Sequence, residues 1–202
     1  MIRKTLFTLF ILTGIVLSAS CNPAQISPTS QAIVPQTTST IPPSENATLT
    51  MPAQVVINGP LRYCFKYPQG YTLQVNDGQV EVIGPYSGLG GTEAGLVWID
   101  AIDAQGRTAQ EVADEEVNAF GGSPPRSTVM MDGEQALVLD GMPGQDLIRK
   151  IYILHNGLLY TLNFSPYQSD NEIANAQMET LFASVTSSWV WMSSGKSCSP
   201  TD

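Results

Sequence analysis

Few residues in this 202-residue chain have the chemistry to act on a substrate. His155 is the only histidine and stands directly before Asn156-Gly157. A lone imidazole can bind a metal or act as a general base. No serine, cysteine or second histidine is spaced to complete a triad or a zinc site around it, so a turn-flanking side chain in solvent is expected. Asp100 and Asp103 end an apolar run, and Glu111, Asp114, Glu115 and Glu116 follow shortly after. Carboxylates of this kind suit a hard cation such as Ca²⁺. Their spacing is not that of an EF-hand loop, they project in different directions around a helix, and acids at a helix start complement its dipole without any ligand. Gly88, Gly90 and Gly91 lie in a segment with no following helix start and no lysine, so residues 84–95 read as a mobile loop rather than a phosphate cradle. No catalytic residue, metal ligand or cofactor site is assigned.

The three cysteines separate by context. Arg3 and Lys4 precede an apolar stretch from Leu6 to Leu17, then Ser18, Ala19, Ser20 and Cys21. An apolar run this short is the core of a secretory signal, since a membrane span needs roughly 20 residues. The small residues ending in Cys21 resemble the lipobox of bacterial lipoproteins, with Ser18 where the family carries an aliphatic residue. The resemblance implies a signal over residues 1–20, acylation of Cys21, and a protein anchored in the lipid of the cell membrane on its extracytoplasmic face. Ser18 and Ser20 also satisfy ordinary signal cleavage at the same bond, which would leave an unmodified Cys21. Two or three acyl chains anchor firmly, because each buried methylene contributes about 0.8 kcal/mol.

Residues 21–54 cannot build a core. They are mostly Pro, Ser, Thr, Gln and Ala, and their scattered aliphatics cannot offset a backbone ordering cost of about 1–2 kcal/mol per residue. A disordered tether is expected, reaching at most about 90 Å for roughly 30 extended residues. Residues 55–202 are enough for one domain. The chain holds 18 acidic against 9 basic residues, and loss of the signal removes Arg3 and Lys4 while every acid stays. That balance argues against nucleic acid and anionic lipid as partners, both of which need basic patches.

Cys64 and Cys198 remain as an even pair for an oxidising compartment, and a disulfide between them is expected. It would tie the C-terminus to the opening strand. Strand signals are regular: Leu61, Tyr63, Phe65 and Tyr67 alternate with polar neighbours, and strands are expected over 71–75, 79–83, 95–102, 128–131, 134–139, 147–154 and 158–164. Asn76-Asp77-Gly78, Asp132-Gly133 and Asn156-Gly157 supply hairpin turns. Thr108 to Glu111 and Ser169 to Glu172 each spell a capping box. The first predicts a helix to about Phe120, stopped by Gly121-Gly122. The second predicts one to about Val185, with Ile173, Ala176, Leu181, Phe182 and Val185 buried. Ser188 to Trp191 then returns as a last strand. Strands in runs with helices between them indicate α+β, a mainly antiparallel sheet with helices packed on it.

The order of these motifs resembles PsbP-like and Mog1-like domains. It rests on Phe65-Lys66-Tyr67-Pro68-Gln69-Gly70-Tyr71, on Asp132-Gly133-Glu134-Gln135-Ala136, on His155-Asn156-Gly157-Leu158-Leu159-Tyr160-Thr161-Leu162, and on the late helix feeding a Trp-containing strand. The resemblance covers roughly residues 55–192 and implies a non-enzymatic role in binding or assembly. The expected function is therefore that of a membrane-anchored binding or assembly factor for an envelope protein, with a small-ligand or Ca²⁺-binding module as the alternative. Tyr86 and Tyr167 are the candidate partner contacts, aromatics being favoured at interface centres. Trp189 and Trp191 share a face and are expected in the core.

Overall fold

The computed structural model describes residues 53–202 apart from 77, 89, 92, 193–197 and 199–202, so the expected signal, Cys21 and most of the expected tether lie outside the described residues. In chain order the elements are β1 (Ala53–Asn58), β2 (Tyr63–Pro68), β3 (Thr72–Asn76), β4 (Gln79–Ile83), β5 (Leu96–Asp103), α1 (Ala109–Phe120), β6 (Arg126–Met131), β7 (Glu134–Met142), β8 (Ile148–His155), β9 (Leu158–Ser165), α2 (Glu172–Ser188) and β10 (Val190–Trp191). The fold is α+β, as expected. All strand pairings are antiparallel, in a seven-stranded sheet ordered β3-β4-β5-β9-β8-β7-β6 and a three-stranded sheet ordered β1-β2-β10.

Turn chemistry fixes the register of the large sheet. Asp132 and Gly133 have φ of 44° and 84°, and Asn156 and Gly157 have 49° and 81°. Two successive positive φ values define the tight turn whose twist matches paired strands, and Asx-Gly is the sequence that tolerates it. Met131 therefore faces Glu134, and His155 faces Leu158. Because side chains alternate along each strand, these registers also settle which residues face which layer.

Each face of the large sheet has its own core. On one, Val82, Val97, Ile99, Ile151, Leu162 and Phe164 pack against α2, the small sheet, Trp189 and Trp191. On the other, Ala113 and Val117 of α1 cover Leu139, Met142, Ile148, Tyr152 and Leu159. Both tryptophans are buried, as expected, and Tyr63 stacks on Trp189 with ring centroids 4.5 Å apart. Cys64 and Cys198 are joined in a disulfide, with their Cα atoms 6.2 Å apart. The C-terminus is thereby tied to β2, whose other partner is β10.

Several expectations need correcting. β1 begins at Ala53, so the last two residues of the expected tether are already strand. Thr108 caps α1 with the full capping box and Gly121 ends it in the left-handed conformation, as predicted. α2 differs: its N-cap is Asn171, whose side chain accepts from the backbone N–H groups of Ile173 and Ala174. Ser169 instead accepts from the Asn171 N–H. The helix runs on to Ser188, and its buried stripe is Ala174, Met178, Leu181, Val185 and Thr186, while Ile173 is 58 % exposed.

Candidate functional site

α1 covers only part of its face of the large sheet, and the β4–β5–β9 side is left open. On that side the cross-strand partners run Glu81 to Trp98 to Asn163 in one row and Ile83 to Leu96 to Ser165 in the next. Partnered residues point to the same face, so these rows form a floor. Around it lie Tyr86, Glu93 and Ala94 from the 84–95 segment, Gln145 and Asp146 between β7 and β8, Ile148 at the start of β8, and Pro166 and Ser169 after β9. Together they enclose a cleft of about 720 Å³. A hollow of about 320 Å³ adjoins it, sharing Glu93, Asp146, Pro166 and Ser169 and adding Tyr167 and Asp170.

The described residues of the 84–95 segment, expected as a mobile loop, pair at its base. Gly84 donates to the Gly95 carbonyl at 2.8 Å, and Ser87 and Glu93 exchange backbone hydrogen bonds. Gln177 of α2 then locks it from outside: its Oε1 accepts from the Gly95 N–H at 2.8 Å and its Nε2 donates to the Pro85 carbonyl at 2.9 Å. Asn171 Nδ2 donates to Ser87 Oγ at 3.2 Å, so the cap of α2 also holds the segment. The rim of the cleft is therefore fixed to a helix packed on the opposite face.

Electrostatics differ between the two halves of this face. Under α1 every carboxylate has a partner. Asp114 pairs with Arg126 at 2.6 Å, Glu115 with Arg107 at 2.9 Å, and Glu116 with Lys150 at 2.7 Å. Glu116 also accepts from the Tyr152 hydroxyl, and burial together with that bond pushes the Tyr152 phenol above its usual range. Glu111 closes the capping box, and its hydrogen bonds from Thr108 hold its carboxyl below the ordinary value. Asp100 accepts from Gln79, and Asp103 from the Gln105 N–H. The acids expected as a possible Ca²⁺ set are thus engaged separately, and among the described residues no three metal-type side chains converge. Around the cleft, by contrast, Glu81, Glu93 and Asp146 make no side-chain hydrogen bond or ion pair among the described residues, and no lysine or arginine lines it.

Of the aromatics singled out, Tyr86 stands at the cleft and is 66 % exposed. Tyr167 is half-buried against the core, with the Arg149 guanidinium 5.0 Å from its ring centroid. Burial works against the charge of Arg149, but its bonds to Asp140 and Glu179 outweigh that and raise its pKa. His155 is not in solvent, as expected, but a packed side chain: it stacks on Trp191 at 3.9 Å and lies 2.8 Å from Glu134 through Nδ1. It sits at the far end of β9 from the cleft. Sequence reasoning did not select Glu81, Glu93, Trp98, Asp146 or Gln177. The hairpin register that places Glu81 beside Trp98 was the available signal.

Among the described residues no helix is long and apolar enough to cross a membrane. No protein-family model and no curated protein matches the chain. Solved structures do. The Ran-binding protein Mog1p of Saccharomyces cerevisiae is similar at 10 % identity and a TM-score of 0.45, over 70 % of this chain and 96 % of that one. PsbP (CyanoP) of Synechocystis sp. PCC 6803 is similar at 16 % identity and a TM-score of 0.43, over 72 % of this chain and 95 % of that one. Each is a likeness of chain trace, and no residue's role is carried over from either.

Proposed function

We propose that this chain is a non-catalytic binding module, anchored through acylated Cys21 at the extracytoplasmic face of the cell membrane, that docks on another envelope protein. The observation that carries the reading is the open half-face of the large sheet, where a rigidly held rim surrounds an aromatic and acidic floor. A concave surface that gathers polar, acidic and aromatic side chains has the form of a recognition site. The groups best suited to catalysis serve the fold instead: His155 is packed under Trp191, and Asp114, Glu115 and Glu116 are in ion pairs.

The anchor is tested by intact mass of the protein from its native membrane, where diacylglyceryl and acyl additions at Cys21 are expected and a bare mature chain would remove it. The docking role is tested by cross-linked pull-down of the tagged full chain from the same membranes. One stoichiometric envelope partner is expected, and its absence counts against the reading. The second reading, a small-ligand or Ca²⁺ module, draws on the cleft volume of about 720 Å³, which lies within the range of roughly 300–1,000 Å³ for small-molecule sites. A calcium-dependent rise in melting temperature without any partner would favour it.

A further inference from the structure

We infer that the cleft receives a basic side chain, lysine or arginine, presented by the protein partner; this rests on the docking role above. Three independent features converge. The first is charge: among the described residues Glu81, Glu93 and Asp146 surround the cleft without a cation, while Arg107, Arg126, Arg149 and Lys150 are all committed to carboxylates elsewhere. Glu81 is half-buried and Glu93 and Asp146 are exposed, and acids gathered at a concave surface without a counterion attract a cation from outside.

The second is the aromatic floor and wall. Trp98 is half-buried in the floor beside Glu81, and Tyr86 is largely exposed at the rim. A cation over an aromatic face is bound by the ring quadrupole, most strongly by Trp. The third is the apolar lining: Ile83, Ala94, Leu96 and Ile148 offer a wall for the methylene stem of a long basic side chain. The chain's own tether cannot fill the cleft in this way, because residues 22–52 contain no lysine or arginine.

The experiment titrates the purified mature full chain with a lysine hexapeptide, a glutamate hexapeptide and spermidine. Two triple variants undergo the same change of charge. One is Glu81→Gln, Glu93→Gln and Asp146→Asn in the cleft; the other is Asp103→Asn, Glu115→Gln and Glu172→Gln, which do not line it. The lysine peptide is expected to bind, to weaken with added salt, and to lose about tenfold or more in the cleft variant but little in the control. Tyr86→Ala, at an exposed position, is expected to weaken it several-fold without altering the melting temperature. Equal losses in both triple variants would reduce the effect to net charge and overturn the inference. Spermidine binding more tightly than the peptide would assign the cleft to a free amine and overturn the side-chain occupant. If the pull-down partner is retained by the cleft variant, the inference fails while the docking role stands. If no partner is captured at all, the docking role fails.

Discussion

Gly95 is the point where the rim segment meets α2, and replacing it by alanine separates packing from every other contribution. A Cβ placed there would lie 2.4 Å from the Met178 backbone nitrogen, 2.5 Å from Gln177 Cβ and 2.7 Å from the Ala174 carbonyl oxygen. Two of these are helix backbone, so relief requires α2 to move as a body, lifting its own Leu181 and Val185 off the core beneath them. Overpacking a well-packed site costs about 1–3 kcal/mol. Two backbone contacts this close place Gly95→Ala at the upper end, about 3 kcal/mol. For a domain of this size each kcal/mol shifts the melting temperature by about 2–4 °C, so a drop of roughly 6–12 °C is expected. Gly59→Ala is the internal control, since its Cβ would meet nothing within 4 Å; its change should stay within about 0.5 kcal/mol. Both are read by thermal unfolding followed by circular dichroism. A Gly95→Ala protein that melts within 2 °C of wild type would refute the close approach of rim and helix.

Further outcomes follow from the same structure. Cys198→Ala opens a loop spanning a sequence separation of 134 and should cost about 4–5 kcal/mol, and a reductant should reproduce the loss in the native chain. A melting temperature indifferent to reductant would contradict it. Thr108→Ala removes the N-cap of α1 and should cost about 1 kcal/mol in chemical denaturation. An unchanged midpoint would mean that the cap contributes nothing. Tyr63 and Tyr152 have folded-state phenol pKa values raised by burial, with Glu116 adding to Tyr152. Groups raised in this way contribute stability that is complete below the unfolded value of about 10 and is lost as pH rises beyond it. Melting temperature should therefore fall above about pH 10, less steeply in Tyr152→Phe, and equal slopes would sink the assignment.

What could be read from the sequence was local. The Asp132-Gly133 and Asn156-Gly157 turns were legible because two successive positive φ values admit few residue pairs. The start and stop of α1 were legible because Thr108, Glu111 and Gly121 answer to their own backbone neighbours. The cap of α2 was not, because Ser169 and Asn171 are both capping types, and the winner also bonds Ser87 more than 80 residues away. β1 escaped because its buried positions are only Val56 and Asn58, and Asn58 is satisfied by the Tyr63 hydroxyl across the turn. His155 was assigned to solvent by its turn, while its ring lies on Trp191 of the last strand. Tyr86 was found as an exposed aromatic, but the cleft it borders depends on how far α1 extends over the sheet, which is a property of packing between distant elements.

The central claim is that the open half-face of the sheet, and not some other surface, meets a partner. A photo-reactive benzoylphenylalanine at position 86, at the cleft, tests it directly against one at position 130, an exposed site on β6 at an outer edge of the sheet. Both full-length proteins are expressed in their native membrane, irradiated and resolved by mass. The account predicts a single discrete adduct from position 86 and none from position 130. No adduct from position 86, or the same adduct from both, would contradict it.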